Sequence, residues 1–229
     1  MKIYGVGDSS LCVEFGPGID PRVNQRAIDL AGQLERLNLP EILDIVPAYS
    51  SVTVYFNPLR INRMNLSSRL RETMNLRLEG AAGSARSHKV PVVYGGGFGP
   101  DLETVAEMNG ISSDEVVRIH TGTRFRVYML GFMPGFPYCG IVPEKIRAPR
   151  LSSPRTRISA GSVGIAGAQT GIYPMESPGG WRLIGRTPLT LFDPKENQDS
   201  MFRFAAGDSL EFYSISEEDF YGWTNRLEL

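Results

Sequence analysis

The sequence predicts two domains of different class: an α+β domain over residues 1–83 and a mainly-β barrel over residues 88–229. Three observations lead there. Amphipathic helix patterns alternate with short strands through the first 79 residues. The stretch GAAGSARS, Gly80 to Ser87, is small, polar and without periodicity, the composition of a linker. The segment Gly131 to Thr190 holds 18 of the chain's 41 Gly and Pro residues, a density that excludes long helices and leaves turns and short strands.

In the first domain, Ile3 to Val6 and Leu11 to Phe15 flank a Gly-Asp-Ser-Ser turn and read as a hairpin. Asp20-Pro21 opens a helix, Asp as cap and Pro at the first helical position. Val23, Ala27, Leu30, Ala31, Leu34 and Leu37 then recur at three- and four-residue spacing, and Asn38 and Pro40 end the helix. Ile42 to Val46 is a strand, and Val52, Val54 and Phe56 alternate on one face of another. Leu66, Leu70 and Met74 mark a second helix, roughly residues 67–79. Two helices over an antiparallel sheet suggest a ferredoxin-like layout.

Past the linker, His88 has Ser and Lys neighbours and reads as solvated; it opens a strand ending at Tyr94. The run Gly95 to Pro100 precedes a helix, but it lacks both the GK[ST] ending of a P-loop and GxGxxG spacing, so it reads as a structural turn. A helix from Asp101 stops at Asn109-Gly110, and a capping box of Ser112 with Glu115 starts the next. His120 falls in its last turn, where the macrodipole favours an imidazolium. Such a ring serves either as an acid or cationic donor, or as a structural cap on a free carbonyl. Phe125 to Leu130 and Leu210 to Ile215 are strands, and the pattern between them is barrel-like. The tail from Glu217, with Phe220, Tyr221 and Trp223, reads as a terminal helix laid on the body.

Composition narrows the function. Hydrophobic content of 41% and charged content of 21% are those of a soluble globular protein, and a net charge of −1 argues against sequence-independent nucleic-acid binding. Cys12 and Cys139 lie far apart, and two Cys with two His make a zinc site an unpromising expectation. The N-terminus lacks the apolar core of a secretory leader and no 18-residue apolar run occurs, so a cytoplasmic protein with no membrane span is expected.

The Gly- and Pro-rich block has its own chemistry. It carries seven Lys or Arg residues against two acids, Glu144 and Glu176, interleaved with aromatic side chains. Arg155 and Arg186 sit on Pro-stiffened turns that can hold a guanidinium for an anion. Gln169 lies between glycines and offers an amide donor and acceptor, while Ser162, Thr170 and Tyr173 add hydroxyls. Phe132, Phe136 and Tyr138 alternate with Gly and Pro, and Trp181 follows a rigid Ser-Pro-Gly-Gly turn. These aromatics either plug the barrel mouth or form a patch that docks a partner. No GxSxG serine and no paired carboxylates stand in the block, so the chain by itself lacks an acid/base inventory.

GFMPGFPYCG, AGSVGIAGAQTGIYP and SPGGWRLIGRTP, with YGGGFGPDLETVAE upstream, resemble the signature of the prokaryotic 5-oxoprolinase B-subunit family, also described as kinase A inhibitor or allophanate hydrolase subunit 1. The likeness covers roughly residues 90–212, with small departures at Ser159 and Cys139. It implies a cyclophilin-like fold for the C-terminal domain. It also implies one component of an ATP-dependent 5-oxoprolinase, working with homologues of that enzyme's C and A components. ATP would be bound by the complex. Within that reading His120, Arg155 and Gln169 are the catalytic candidates, and Arg186, Ser162, Thr170 and Tyr173 bind substrate or anion. Phe132, Phe136, Tyr138 and Trp181 form the partner interface. The alternative implied by the same family is a regulatory protein that inhibits a sporulation-type histidine kinase.

Overall fold

Apolar residues at every second strand position and every third or fourth helix position need one shared interior, and each half of the chain builds its own. The computed structural model describes residues 1–75, 85–197 and 200–223, and the chain divides into two compact units, Met1–Ala85 and Arg86–Leu229.

The first unit contains β1 (Lys2–Gly5), β2 (Ser10–Glu14), α1 (Pro21–Leu37), β3 (Ile42–Pro47), β4 (Ser51–Phe56) and α2 (Arg63–Asn75). Its sheet runs β1-β2-β4-β3, antiparallel throughout. The register sets Leu11 against Val54 and Val13 against Val52, so the alternating apolar residues share one face with Ala27, Leu30, Ala31 and Leu34 of α1. Asp20 caps α1 by accepting from the backbone N–H of Arg22 at 2.7 Å, and Asn38 ends it in the left-handed region at φ 42°. The helix expected over 67–79 begins four residues earlier, because the Asn62 side chain accepts from the Asn65 N–H at 2.8 Å. Residues 76–79 of that expectation, and Gly80 to Ser84 of the expected linker, lie outside the described residues. The α+β layout holds, but the element order is ββαββα, not the βαββαβ of a ferredoxin-like unit.

The second unit contains β5 (Ser87–Tyr94), α3 (Leu102–Asn109), α4 (Ser113–Thr121), β6 (Arg124–Leu130), β7 (Pro137–Gly140) and a 3-10 turn at Glu144–Ile146. There follow β8 (Arg155–Ile158), β9 (Ser162–Ala166), β10 (Gln169–Ile172), β11 (Ser177–Gly179), β12 (Arg182–Arg186), β13 (Ser209–Ser214) and α5 (Glu217–Tyr221). Seven strands close a barrel in the order β10-β7-β6-β13-β5-β12-β9, while β8 and β11 pair separately. Val90, Val92, Val127, Cys139, Val163 and Ile165 belong to one buried cluster that α3 and α4 extend with Leu102, Val105 and Val116. The barrel is a packed core, as expected for small barrels.

The glycine run after β5 is a turn by necessity. Gly95 has φ 73°, and a Cβ on Gly99 would stand 2.1 Å from the Ile184 carbonyl oxygen. His88 departs from its solvated reading: its Nε2 lies 2.8 Å from Asp208 Oδ2 and its ring meets Phe204 edge-on. Asp208, from the far end of the unit, also accepts from the Arg86 and Ala205 N–H groups, and so ties the first residues of the unit to β13. In the tail, Phe220 packs edge-on against Phe98 at 4.9 Å.

Candidate functional site

On β9, Val163 and Ile165 point into the barrel, which puts Ser162, Gly164 and Ala166 on the outside. Gly171 of β10 lies directly opposite Gly164. These small residues make a shallow floor, and aromatic rings fill the space above it. A Cβ on Gly164 would come within 3.0 Å of Trp181 Cβ, and one on Gly171 within 2.9 Å of the Phe136 ring. The glycine density of the block is therefore the imprint of rings laid on strands.

Phe136 is the centre of this outer cluster, 4.8 Å from Tyr138, 5.1 Å from Tyr173 and 5.3 Å from Trp181 between ring centroids. The near-perpendicular pairs among them contribute roughly 0.5–1.5 kcal/mol each beyond area burial. Phe136, Tyr173 and Trp181 are buried, Tyr138 is half-buried, and Phe132 stands out at 61% exposure. Of the expected interface set, Phe132 and Tyr138 are thus the members presented to solvent. Phe136 and Trp181 form the support, because rings stacked this closely exclude water from their own faces.

The cations around the cradle differ from expectation. Arg155 closes a two-point pair with Asp101, Nη1 to Oδ2 at 2.9 Å and Nη2 to Oδ1 at 2.8 Å. Asp101 is buried; it also accepts from the Leu183 N–H at 2.7 Å and has Arg182 Nη1 at 4.0 Å. A buried carboxylate requires such partners. The Arg155 fork expected to hold a ligand's anion is therefore already occupied by one from its own chain.

Arg155 thus acts first as a wall of the cradle, joining β8 to the start of α3. Asp101 does no capping of its own helix, since its side chain is turned to Arg155. The sequence held no local sign of this pair, whose members are 54 positions apart. Arg186 donates from Nε to the Ala160 carbonyl at 2.8 Å and lies over Phe220. Arg150, given no role by the sequence, stands over the Trp181 ring at 5.9 Å.

His120 ends α4 but faces the barrel core and is fully buried. Its Nδ1 lies 2.8 Å from Tyr94 Oη, its Nε2 lies 3.1 Å from Thr170 Oγ1, and the Thr170 hydroxyl donates to the Gly164 carbonyl at 3.1 Å. A hydroxyl whose proton goes to a carbonyl accepts from its other neighbour, so Nε2 carries the imidazole proton and Nδ1 accepts from Tyr94. Burial lowers the His120 pKa to about 3. The imidazolium expected from the helix terminus does not form at neutral pH: a helix dipole supplies at most about 2 kcal/mol, about 1.5 pH units, which is less than the desolvation it opposes. Phe125 and Phe212 close over the ring at 5.0 and 4.5 Å.

The expected site residues thus fall into separate places. Thr170 lies inside with His120, and Ser162 and Tyr173 are buried on the outer side of the same strands. Tyr173 Oη accepts from the backbone N–H of Trp181. Gln169 is half-buried at the start of β10, opposite Gly140 and Ala166. Cys139 is buried in the barrel, where desolvation pushes its thiol pKa up and keeps it a small hydrophobe. Among the described residues no group of three or more His, Cys, Asp or Glu could hold a metal ion, and no helix is long and apolar enough to cross a membrane.

Known proteins are similar to this chain in sequence and fold. The family model for the carboxyltransferase domain, subdomain C and D, matches residues 1–202. The B subunit of 5-oxoprolinase from Bacillus subtilis is 43% identical, over 97% of this chain and 96% of that protein. Its counterpart from Escherichia coli, also a 5-oxoprolinase B subunit, is 37% identical, over 94% of this chain and 97% of that protein. The crystal structure of TTHA0988 superposes with a TM-score of 0.81 at 37% identity over 90% of this chain; the chain spans 40% of that longer protein.

Proposed function

The chain belongs to the 5-oxoprolinase B-subunit family, and we propose from that premise that it is a non-autonomous subunit of an ATP-dependent 5-oxoprolinase. The reaction is 5-oxo-L-proline with ATP and water to L-glutamate, ADP and phosphate. The observation that carries this reading is the end-to-end identity of 43% with the Bacillus subtilis protein. The site supports it. The cradle offers rings, a half-buried amide and guanidinium groups, but its histidine is buried behind the strands and its carboxylate Asp101 is paired. A face that can bind a flat lactam but brings no free base suits one side of a shared active site.

Phosphorylation of the lactam oxygen by ATP, with ADP leaving, would open an unstrained amide to water; the ring C–N bond then breaks to give an acyl phosphate, and a second water hydrolyses it to release phosphate. In this scheme Gln169 reads the lactam amide, and the exposed Phe132 meets the partner protein. Tyr173, Ser162 and Arg186 hold the strands beneath, and His120 acts as a positioning residue through Thr170, the neighbour of Gln169. ATP is bound by the complex with homologues of the C and A components of 5-oxoprolinase, in the cytoplasm. The barrel, by the same family likeness, is cyclophilin-like.

The test is to co-express the chain with the homologue of the C component, add the homologue of the A component, and measure 5-oxoproline-dependent ATP hydrolysis. Activity that needs all the chains is expected. Hydrolysis by this chain alone would contradict the shared site, and failure to co-purify would turn attention to the kinase-regulator reading.

A further inference from the structure

The motif block contains six arginines, at positions 147, 150, 155, 157, 182 and 186. Five are committed to oxygen acceptors within the chain. Arg147 donates to the Val142 carbonyl, Arg155 to Asp101 and Arg186 to the Ala160 carbonyl. Arg157 pairs with Glu176 at 2.6 Å, and Arg182 donates to the Pro149 carbonyl at 3.4 Å. Arg150 is exposed, and its guanidinium rests on the Trp181 ring.

Its position is built, not left to a free loop. The residue before it, Pro149, accepts from Arg182, and the residue after it, Leu151, donates its N–H to the Gly180 carbonyl at 2.7 Å. Both bonds go to the segment that carries Trp181, so backbone and indole together hold the guanidinium beside the cradle. Burial raises the pKa of both Tyr138 and Tyr173, and the Arg150 charge opposes that shift in each, so the guanidinium field reaches both rings. Tyr138 is the half-buried one of the two, 5.7 Å from Trp181.

We propose that Arg150 is the group of this chain that binds the carboxylate of the lactam substrate, with the ring of that substrate against the half-buried Tyr138, which Trp181 supports from beneath. The inference rests on the oxoprolinase reading and deepens it by naming the residue that selects a lactam bearing a carboxylate. The guanidinium supplies a two-point donor to the anion, and the aromatic floor suits a flat five-membered ring. It reassigns the anion-binding role expected of Arg155 and Arg186 to an exposed arginine held over Trp181.

The experiment uses the assembled enzyme with wild-type chain, Arg150→Ala, Arg150→Lys and, as control, Arg157→Ala. A lost hydrogen-bonded charge contact predicts that Arg150→Ala raises KM for 5-oxoproline about 10- to 100-fold with kcat little changed. Arg150→Lys falls between, and Arg157→Ala behaves as wild type. A KM within about twofold of wild type in Arg150→Ala would overturn the assignment. So would a fall in kcat at unchanged KM, or loss of co-purification, which would make Arg150 a contact between the chains of the complex. An inactive wild-type assembly removes the oxoprolinase reading and this inference with it, and is read before any variant.

Discussion

Asp101 and Arg155 meet through two parallel hydrogen bonds of 2.8 and 2.9 Å, although 54 positions separate them in the chain. The carboxylate is 7% exposed and the guanidinium 30%, so the pair joins the buried entry of α3 to the edge of the aromatic cradle. With Leu183 N–H on the same carboxylate, three segments of the second unit converge on one side chain. The arrangement explains why a Pro-stiffened arginine in a cationic block need not serve a ligand.

Removing one member should leave the other stranded. Arg155→Ala is expected to cost about 2–3 kcal/mol, since Arg182 and the Leu183 N–H still partly satisfy the carboxylate. Thermal unfolding of the isolated chain measures it. Asp101→Ala with Arg155→Ala should cost less than the sum of the single changes, and additive costs would show that the two side chains do not act as a pair.

The buried imidazole makes stability depend on pH in a stated direction. Its pKa is lowered in the fold, so the unfolded chain binds the proton more readily. The stabilising contribution is full above about pH 6.5 and is lost as pH falls toward 3. Between pH 6.5 and 5 the loss is about 1.6 kcal/mol, with a slope that rises toward 1.36 kcal/mol per unit. Denaturant unfolding of wild type and His120→Gln across that range should show the slope in the first and its absence in the second. Equal slopes would mean that His120 does not titrate on unfolding in this window.

Phe132 combines 61% exposure with φ 65°, a conformation that L side chains with bulky groups avoid. Its ring reaches Phe136 at 5.7 Å and Tyr173 at 6.4 Å. Phe132→Gly removes those contacts but relieves about 1 kcal/mol of backbone strain, so the melting temperature of the chain should scarcely move. Association with the homologue of the C component, measured by titration, should weaken at least about 10-fold, the scale of a lost interface anchor. Unchanged association would take Phe132 out of the interface.

The local signals in the chain proved informative where the forces are local. Asp20-Pro21, Asn38, Gly110 and Ser112 stand at helix ends because a cap satisfies backbone groups within a few residues. The capping box expected at Ser112 formed only in part: Ser112 accepts from the Glu115 N–H, while the Glu115 carboxylate turns to Arg118. Alternation in Ser51–Phe56 reflects the two faces of a strand, which are also set within a few positions. The cradle was partly legible as an excess of rings, glycines and cations, but the roles of its members were not.

Sequence alone determined the two-part class of the chain, the ends of α1, α3 and α4, the strand faces and the family signature, since each depends on neighbours a few residues apart. Tertiary structure alone decided that Asp101 takes Arg155, that His120 is buried and neutral, that Trp181 becomes a support, and that Arg150 stands exposed over that ring. Burial and charge pairing depend on which distant segments a closed barrel brings together. Desolvation in such a barrel outweighs any preference that a side chain inherits from its own helix or turn.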